Sequence, residues 1–126
     1  MKSPEIIIKT IGTFKGPIAE VCCDEVVVFD GQSALDLIIN VSYETDTEKM
    51  VIHKEMIAEE FFDLDTGLAE EVLQKSVNYQ IKIAICGDFS AYDRQTFKAF
   101  AEENNQDAYF FFAESLEEAI KKLEEI

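Results

Sequence analysis

Short apolar runs suited to strands alternate with amphipathic stretches suited to helices, and this alternation limits the possible folds more than any other feature of the chain. Residues 50–53 and 81–86 are short enough to be buried strands, and Gly87 and Asp88 stop the second of them. Between them, residues 68–77 carry apolar side chains at helical spacing, with charged side chains on the opposite face. Repeated strand–helix–strand units with right-handed crossovers predict a largely parallel sheet.

The first part of the chain predicts a hairpin followed by a helix. Residues 5–11 are rich in β-branched side chains, residues 17–22 form a second strand-like run, and residues 12–16 supply the turn. Asp30 is the expected N-cap of a helix, because apolar side chains recur after it at helical spacing. An antiparallel pair of strands is therefore expected ahead of the parallel part of the sheet.

The last part of the chain predicts two more helices with a strand between them. Ser90 and Ser115 each stand three positions before an acidic residue, a pattern typical of a capping box. Residues 109–112 are predicted to form the intervening strand. The predicted fold class is α/β: a single domain over residues 1–126, with a mixed, mostly parallel sheet and the order β-β-α-β-α-β-α-β-α.

The charge of the chain restricts its partners. It has 11 Lys and Arg against 26 Asp and Glu, a net charge of −15. Proteins that bind nucleic acid or anionic membranes use clusters of basic side chains, so neither partner is expected. The acidic surface instead predicts a protein partner with a basic surface.

The cysteines and the start of the chain suggest a cytoplasmic protein. The apolar run at residues 6–8 is too short for a signal-peptide core, and no stretch reaches the length of a membrane span. Cys22, Cys23 and Cys86 cannot all pair within one chain, so reduced thiols are expected.

Short motifs of this sequence also occur in several enzyme classes, but the secondary structure around them differs. Asp65, Thr66 and Gly67 form a tripeptide found in aspartic proteases, which need two such carboxylates in an all-β fold. Here a helix follows at once, which excludes the protease. Asp63 and Asp65 lack the preceding strand of a phosphatase site, and a receiver domain is excluded because its paired acids and lysine are missing. The missing nucleophile–base pair counts against an enzymatic activity.

The sequence gives little support for a metal or cofactor. His53 is the only histidine, and the cysteines show no spacing typical of zinc ligands, so no metal and no cofactor is predicted. An alternative function is a small-molecule-binding domain or an enzyme, with its site at the carboxyl edge of the sheet. The residues that would form this site are His53, Lys54, Gly87 and Asp88.

Nearly the whole chain resembles an uncharacterised bacterial family known only as a domain of unknown function. The resemblance is most specific in the centre of the chain. It is carried by residues 33–37, 43–45, 60–69, 73–75, 78–79, 82–90 and 118–120. Membership in such a family implies no activity.

A more distant resemblance links the chain to STAS domains, the fold of anti-anti-sigma factors and of sulfate-transporter tails. Asp65, Thr66, Gly67 and Leu68 are similar to the Asp-Ser-Ser-Gly-Leu motif of those domains, with one residue missing. Thr66 then occupies the place of the phosphorylated serine. The resemblance implies a STAS-like fold and a non-enzymatic regulatory or protein-interaction module, with phosphorylation at Thr66 as a candidate switch.

The expected binding face is the loop at residues 55–66 together with the start of the following helix. Phe61 and Phe62 are either exposed aromatic anchors of this face or part of the core. Self-association through an exposed edge strand is a further possibility. The expected partner-binding or regulatory residues are Thr66, Asp65, Gly67, Asp63, Phe61 and Phe62.

Overall fold

The structure, a computed structural model, describes residues 5–13, 16–89 and 110–125. This part of the chain contains five strands and three α-helices. The strands are β1 (Ile7–Thr13), β2 (Gly16–Cys22), β3 (Lys49–His53), β4 (Lys82–Cys86) and β5 (Phe110–Ala113). The helices are α1 (Gly31–Thr45), α2 (Leu68–Asn78) and α3 (Leu116–Glu124). The helix predicted to start at Ser90 lies outside the described residues.

The five strands form one mixed sheet in the order β1-β2-β3-β4-β5. β1 pairs with β2 in antiparallel fashion, with Ile7 opposite Cys22, and every later pair is parallel. Parallel neighbours need a crossover between them, and α1 and α2 supply two of these crossovers. The predicted α/β class, initial hairpin and mostly parallel sheet are therefore confirmed.

Alternation along the strands sorts side chains onto two faces of the sheet. Ala19 and Val21 of β2 join the core formed with α1 and α2, whereas Ile18 joins a smaller core formed with α3. In β4, Ile85 belongs to the first core and Cys86 to the second. Because side chains alternate, Glu20 and Cys22 lie on the same face as Ile18, which is the face that α3 covers.

Side-chain caps fix the starts of α1 and α3. The Oδ1 of Asp30 accepts a hydrogen bond from the Ser33 backbone N at 2.7 Å, and the Asp30 backbone N donates to the Ser33 Oγ at 3.1 Å. This is the reciprocal arrangement of a capping box. At α3, the backbone N of Glu118 donates to the Ser115 Oγ at 3.1 Å. Both predicted helix starts are confirmed.

The connection between β3 and α2 positions the predicted binding face. It consists of three short 3₁₀ turns, at Lys54–Met56, Glu59–Phe62 and Leu64–Thr66. Val28 makes a parallel bridge with Ile57, and its carbonyl accepts a hydrogen bond from the Ala58 N at 2.8 Å. These bonds hold the connection against the segment that precedes α1. In the described residues, no helix is both long enough and apolar enough to span a membrane.

Candidate functional site

Thr66 lies exposed at the end of a closed turn, here called the Thr66 turn and comprising residues 59–67. Its hydroxyl oxygen lies 2.6 Å from the carbonyl oxygen of Glu60 and 2.8 Å from that of Asp63, and it donates its proton toward them. The same oxygen accepts a hydrogen bond from the Leu68 N at 3.3 Å. The hydroxyl therefore ties two carbonyl groups of the turn to the first residue of α2.

The backbone of this turn leads directly into α2. Gly67 is the N-cap of the helix and has a φ of +77°, in the left-handed region that glycine adopts most easily. The Asp63 Oδ1 accepts a hydrogen bond from the Asp65 N at 3.1 Å, which stabilises the turn before the helix. Because Gly67 has no side chain, it contributes no capping hydrogen bond of its own to α2.

Phe61 and Phe62 are buried, so of the two alternatives, exposed anchors or part of the core, the structure supports the core. Their ring centroids lie 5.0 Å apart in an edge-to-face arrangement. The Phe61 ring lies 6.4 Å from that of Phe112, and the Phe62 ring lies 5.9 Å from that of Phe89. Burial of two aromatic rings is strongly favourable, so these residues hold the turn against the core.

The surface of the Thr66 turn is acidic. A shallow open depression there is lined by Glu59, Glu60, Phe62, Asp63 and Thr66. Its carboxylates face solvent, so they create a negative potential without the cost of burial. The depression therefore suits a basic side chain from a partner better than an anion.

The residues predicted for a ligand site at the carboxyl edge of the sheet lie together. The Lys54 Nζ donates a hydrogen bond to the Asp88 carbonyl oxygen at 2.8 Å. The Lys54 side chain also crosses Gly87 so closely that a Cβ at Gly87 would lie 2.6 Å from the Lys54 Cβ. Glycine at position 87 therefore makes room for the lysine stem. His53, the residue before Lys54, contacts Glu20 and Cys86 instead.

Four side chains at the ends of three neighbouring strands form what we call the strand-end cluster: Glu20, Cys22, His53 and Cys86. The His53 Nε2 lies 2.8 Å from the Glu20 Oε2, and the His53 Nδ1 lies 3.3 Å from the Cys86 Sγ. The Glu20 side chain is 10% exposed and that of His53 is 31% exposed. The imidazole thus bridges a buried carboxylate and a buried thiol.

The order thiol–imidazole–carboxylate resembles a catalytic triad, but Cys86 is not an activated nucleophile. It is 3% exposed and packs in the core beneath α3. Burial, followed by the nearby charges of Glu20 and Glu55, raises the pKa of Cys86 to about 11. An activated thiolate needs a lowered pKa and access to substrate, and Cys86 has neither.

Cys22 is half-buried and also favours its protonated form. Burial raises its pKa first, then a hydrogen bond with Glu20 and the charge of that carboxylate, while Lys9 acts in the opposite direction. Lys9 lies on β1 directly opposite Glu20 in the sheet register. Both thiols of the cluster therefore favour their protonated form.

The sequence predicted neither a role for Glu20 nor a contact of His53 with Cys22 and Cys86. Two patterns in the sequence, taken together, indicate that these side chains lie close to one another. Glu20 and Cys22 are alternate residues of β2 and so share one face of the sheet. His53 and Cys86 are the last residues of adjacent parallel strands and stand opposite each other in register.

Comparison with known proteins confirms the fold. No curated protein matches the chain significantly. A solved structure from Thermotoga maritima, assigned as an anti-sigma factor antagonist, matches with a TM-score of 0.51 at 7% identity. The match covers 93% of this chain and 94% of that one, which confirms a STAS-like fold. Residues 14–123 match the family model described as "Domain of unknown function (DUF4180)", and the chain belongs to that family.

Proposed function

We propose that this protein is a non-enzymatic regulatory module that binds a basic protein partner through the Thr66 turn. The observation that carries the proposal is the exposed Thr66 hydroxyl, which holds two backbone carbonyls and the start of α2 in one arrangement. A change at this one oxygen alters the shape and the charge of the surface together. The STAS-like fold of the chain supports a regulatory role.

Charge defines the partner that this surface suits. Glu59, Glu60, Asp63 and Asp65 are exposed around Thr66, on a protein whose net charge is −15. Such a surface attracts a basic patch by long-range electrostatics, mainly by raising the association rate. The attraction between exposed charges is screened over about 8 Å at physiological salt, so binding should weaken as salt is added.

Phosphorylation of Thr66 would act as the switch in this proposal. The modification replaces the hydroxyl proton and adds about two negative charges at neutral pH. The phosphate would face the carbonyl oxygens of Glu60 and Asp63, which repel it, although the start of α2 attracts an anion. Repulsion from Asp63 and Asp65 adds to this effect. The turn would therefore rearrange and release its partner.

The first test is affinity capture from native cells with the wild-type protein and Thr66→Glu as baits. Thr10→Glu is the matched control, because Thr10 is also an exposed threonine but lies on β1. A partner retained by wild type and by Thr10→Glu, and lost by Thr66→Glu, supports the proposal. Identical capture by all three baits contradicts it.

A charge-reversal pair tests the face with the captured partner. Asp65→Lys should weaken binding several-fold and reduce its salt dependence, because it removes part of the acidic surface. Glu44→Lys makes the same change at an exposed site in the last turn of α1 and should have little effect. Calorimetric titration at two salt concentrations measures both. Equal effects of the two reversals would show that only the total charge matters.

We also propose that the module works in the cytoplasm. In the described residues, Cys22, Cys23 and Cys86 are all free thiols. Free thiols are typical of a reducing compartment. Fractionation of native cells followed by detection of the protein tests this location.

A further inference from the structure

We propose that Glu20, Cys22 and His53 form a binding site for a divalent cation of the zinc class. None of these residues belongs to the Thr66 turn, so the inference goes beyond the proposed function. One oxygen, one sulfur and one nitrogen donor of the three side chains all lie within 4.8 Å of one another. This set combines the three donor types that zinc binds in proteins.

The three donors lie within 4.8 Å of one another, so small movements would bring them to the spacing that a tetrahedral zinc ion needs. Zinc bonds of about 2.0–2.3 Å at tetrahedral angles place neighbouring donor atoms about 3.3–3.7 Å apart. The His53 Nε2 and Glu20 Oε2, now 2.8 Å apart, would have to separate by less than about 1 Å to admit the ion. The Cys22 Sγ lies within 4.8 Å of the other two donors and would have to approach them by at most about 1.5 Å. Three protein ligands leave the fourth position to a water molecule.

Cys86 is placed to orient the histidine. A histidine that binds metal through Nε2 carries its proton on Nδ1, and this N–H usually donates to a second group. The Cys86 Sγ lies 3.3 Å from the His53 Nδ1 and is the acceptor available there. Cys86 is therefore a positioning residue for the site and not a ligand.

The exposure and the charge of the three side chains also suit a bound cation. The His53 side chain is 31% exposed and Cys22 is half-buried, so the ion has a path from solvent. The Glu20 carboxylate supplies one negative charge, and Cys22 supplies the second by giving its thiol proton to solvent as the zinc–sulfur bond forms. Two anionic ligands then neutralise the ion, while Lys9 beside Glu20 opposes binding.

The donor set selects the class of metal. Calcium and magnesium prefer oxygen ligands, and a thiolate with an imidazole favours zinc and its soft or borderline neighbours. Cobalt(II) occupies such sites with the same geometry and reports on them through its absorption spectrum. It is therefore the probe for the test, and zinc is the competitor.

The test titrates the reduced, chelator-treated protein with Co²⁺ and follows absorption in the visible and near-ultraviolet. Wild type should bind one ion and show a thiolate-to-cobalt band that one equivalent of Zn²⁺ abolishes. Cys23→Ser is the matched control, because Cys23 is the adjacent residue and packs against the core on the opposite face. It should behave like wild type.

The variants separate ligands from the positioning residue. Cys22→Ser should lose the thiolate band, and Glu20→Gln and His53→Gln should weaken zinc binding more than Cys86→Ala does. Loss of the acceptor in Cys86→Ala should weaken binding about 10–100-fold. An unchanged cobalt spectrum in Cys22→Ser, or loss of the band in Cys23→Ser, overturns the assignment.

A measurement on the wild-type protein covers the case in which a variant does not fold. Bound zinc should protect Cys22 from alkylation by N-ethylmaleimide and leave the reactivity of Cys23 unchanged, as read by mass spectrometry of peptides. Equal protection of both cysteines, or of neither, refutes the site. Failure of wild type to bind Co²⁺ or Zn²⁺ at micromolar concentration refutes it as well.

Discussion

Replacement of Phe61 by alanine tests whether the Thr66 turn is held by the core. Phe61 has no exposed surface, and its ring contacts the rings of Phe62 and Phe112 edge-to-face. Truncation of a buried phenylalanine costs about 3–5 kcal/mol, from lost burial and from the cavity left behind. A domain of this size is stable by about 5–15 kcal/mol, so Phe61→Ala should remove a large part of the free energy of unfolding.

Urea unfolding followed by circular dichroism measures this loss. With a slope of about 1–3 kcal/mol per molar urea, the midpoint should fall by at least about 1 M. Phe29→Ala is the matched control, because the Phe29 side chain is 59% exposed. That variant should stay within about 0.5 kcal/mol of wild type. If Phe61→Ala unfolds at the wild-type midpoint and loses partner binding instead, Phe61 is an exposed anchor and the burial argument is wrong.

Two further predictions concern the backbone angle of Gly67 and the thiol of Cys86. Gly67→Ala should lower the free energy of unfolding by about 1–2 kcal/mol, because a side chain is strained at a φ of +77°. Gly12→Ala, which meets open space without a positive φ, should not share this loss, and equal melting temperatures of the two variants would contradict the reasoning. The raised pKa of Cys86 means that the folded protein keeps a proton which the unfolded chain releases near pH 9. Stability should therefore decline as the pH rises from about 9 toward 11, and Cys86→Ala should reduce that decline in thermal scans.

The fold was predictable because its signals are local. The apolar run that becomes β4, the amphipathic stretch that becomes α2 and the caps at Asp30 and Ser115 each act within a few residues. The alternation of such elements leaves few arrangements, since crossovers between parallel strands have one hand. Sequence pattern and structure therefore agree on the α/β class and on the hairpin at the start.

The site was predictable only in part, because its geometry depends on contacts between distant residues. Thr66 was singled out by the resemblance of its turn to a known motif, and the structure places it at the surface. Phe61 and Phe62 lie in one 3₁₀ turn of four residues, which is too short for a hydrophobic periodicity to mark its buried side. The contact of His53 with Glu20 joins residues 33 positions apart and depends on strand pairing.

The contact between Glu20 and His53 also favours one register of β2 in the sheet. A slip of one residue would turn Glu20 and Cys22 toward α1 and α2 and would expel Ala19 and Val21 from that core. A carboxylate buried there without a partner is strongly disfavoured. The carboxylate of Glu20 therefore disfavours the shifted register of β2. In the native register, Glu20 instead contacts His53.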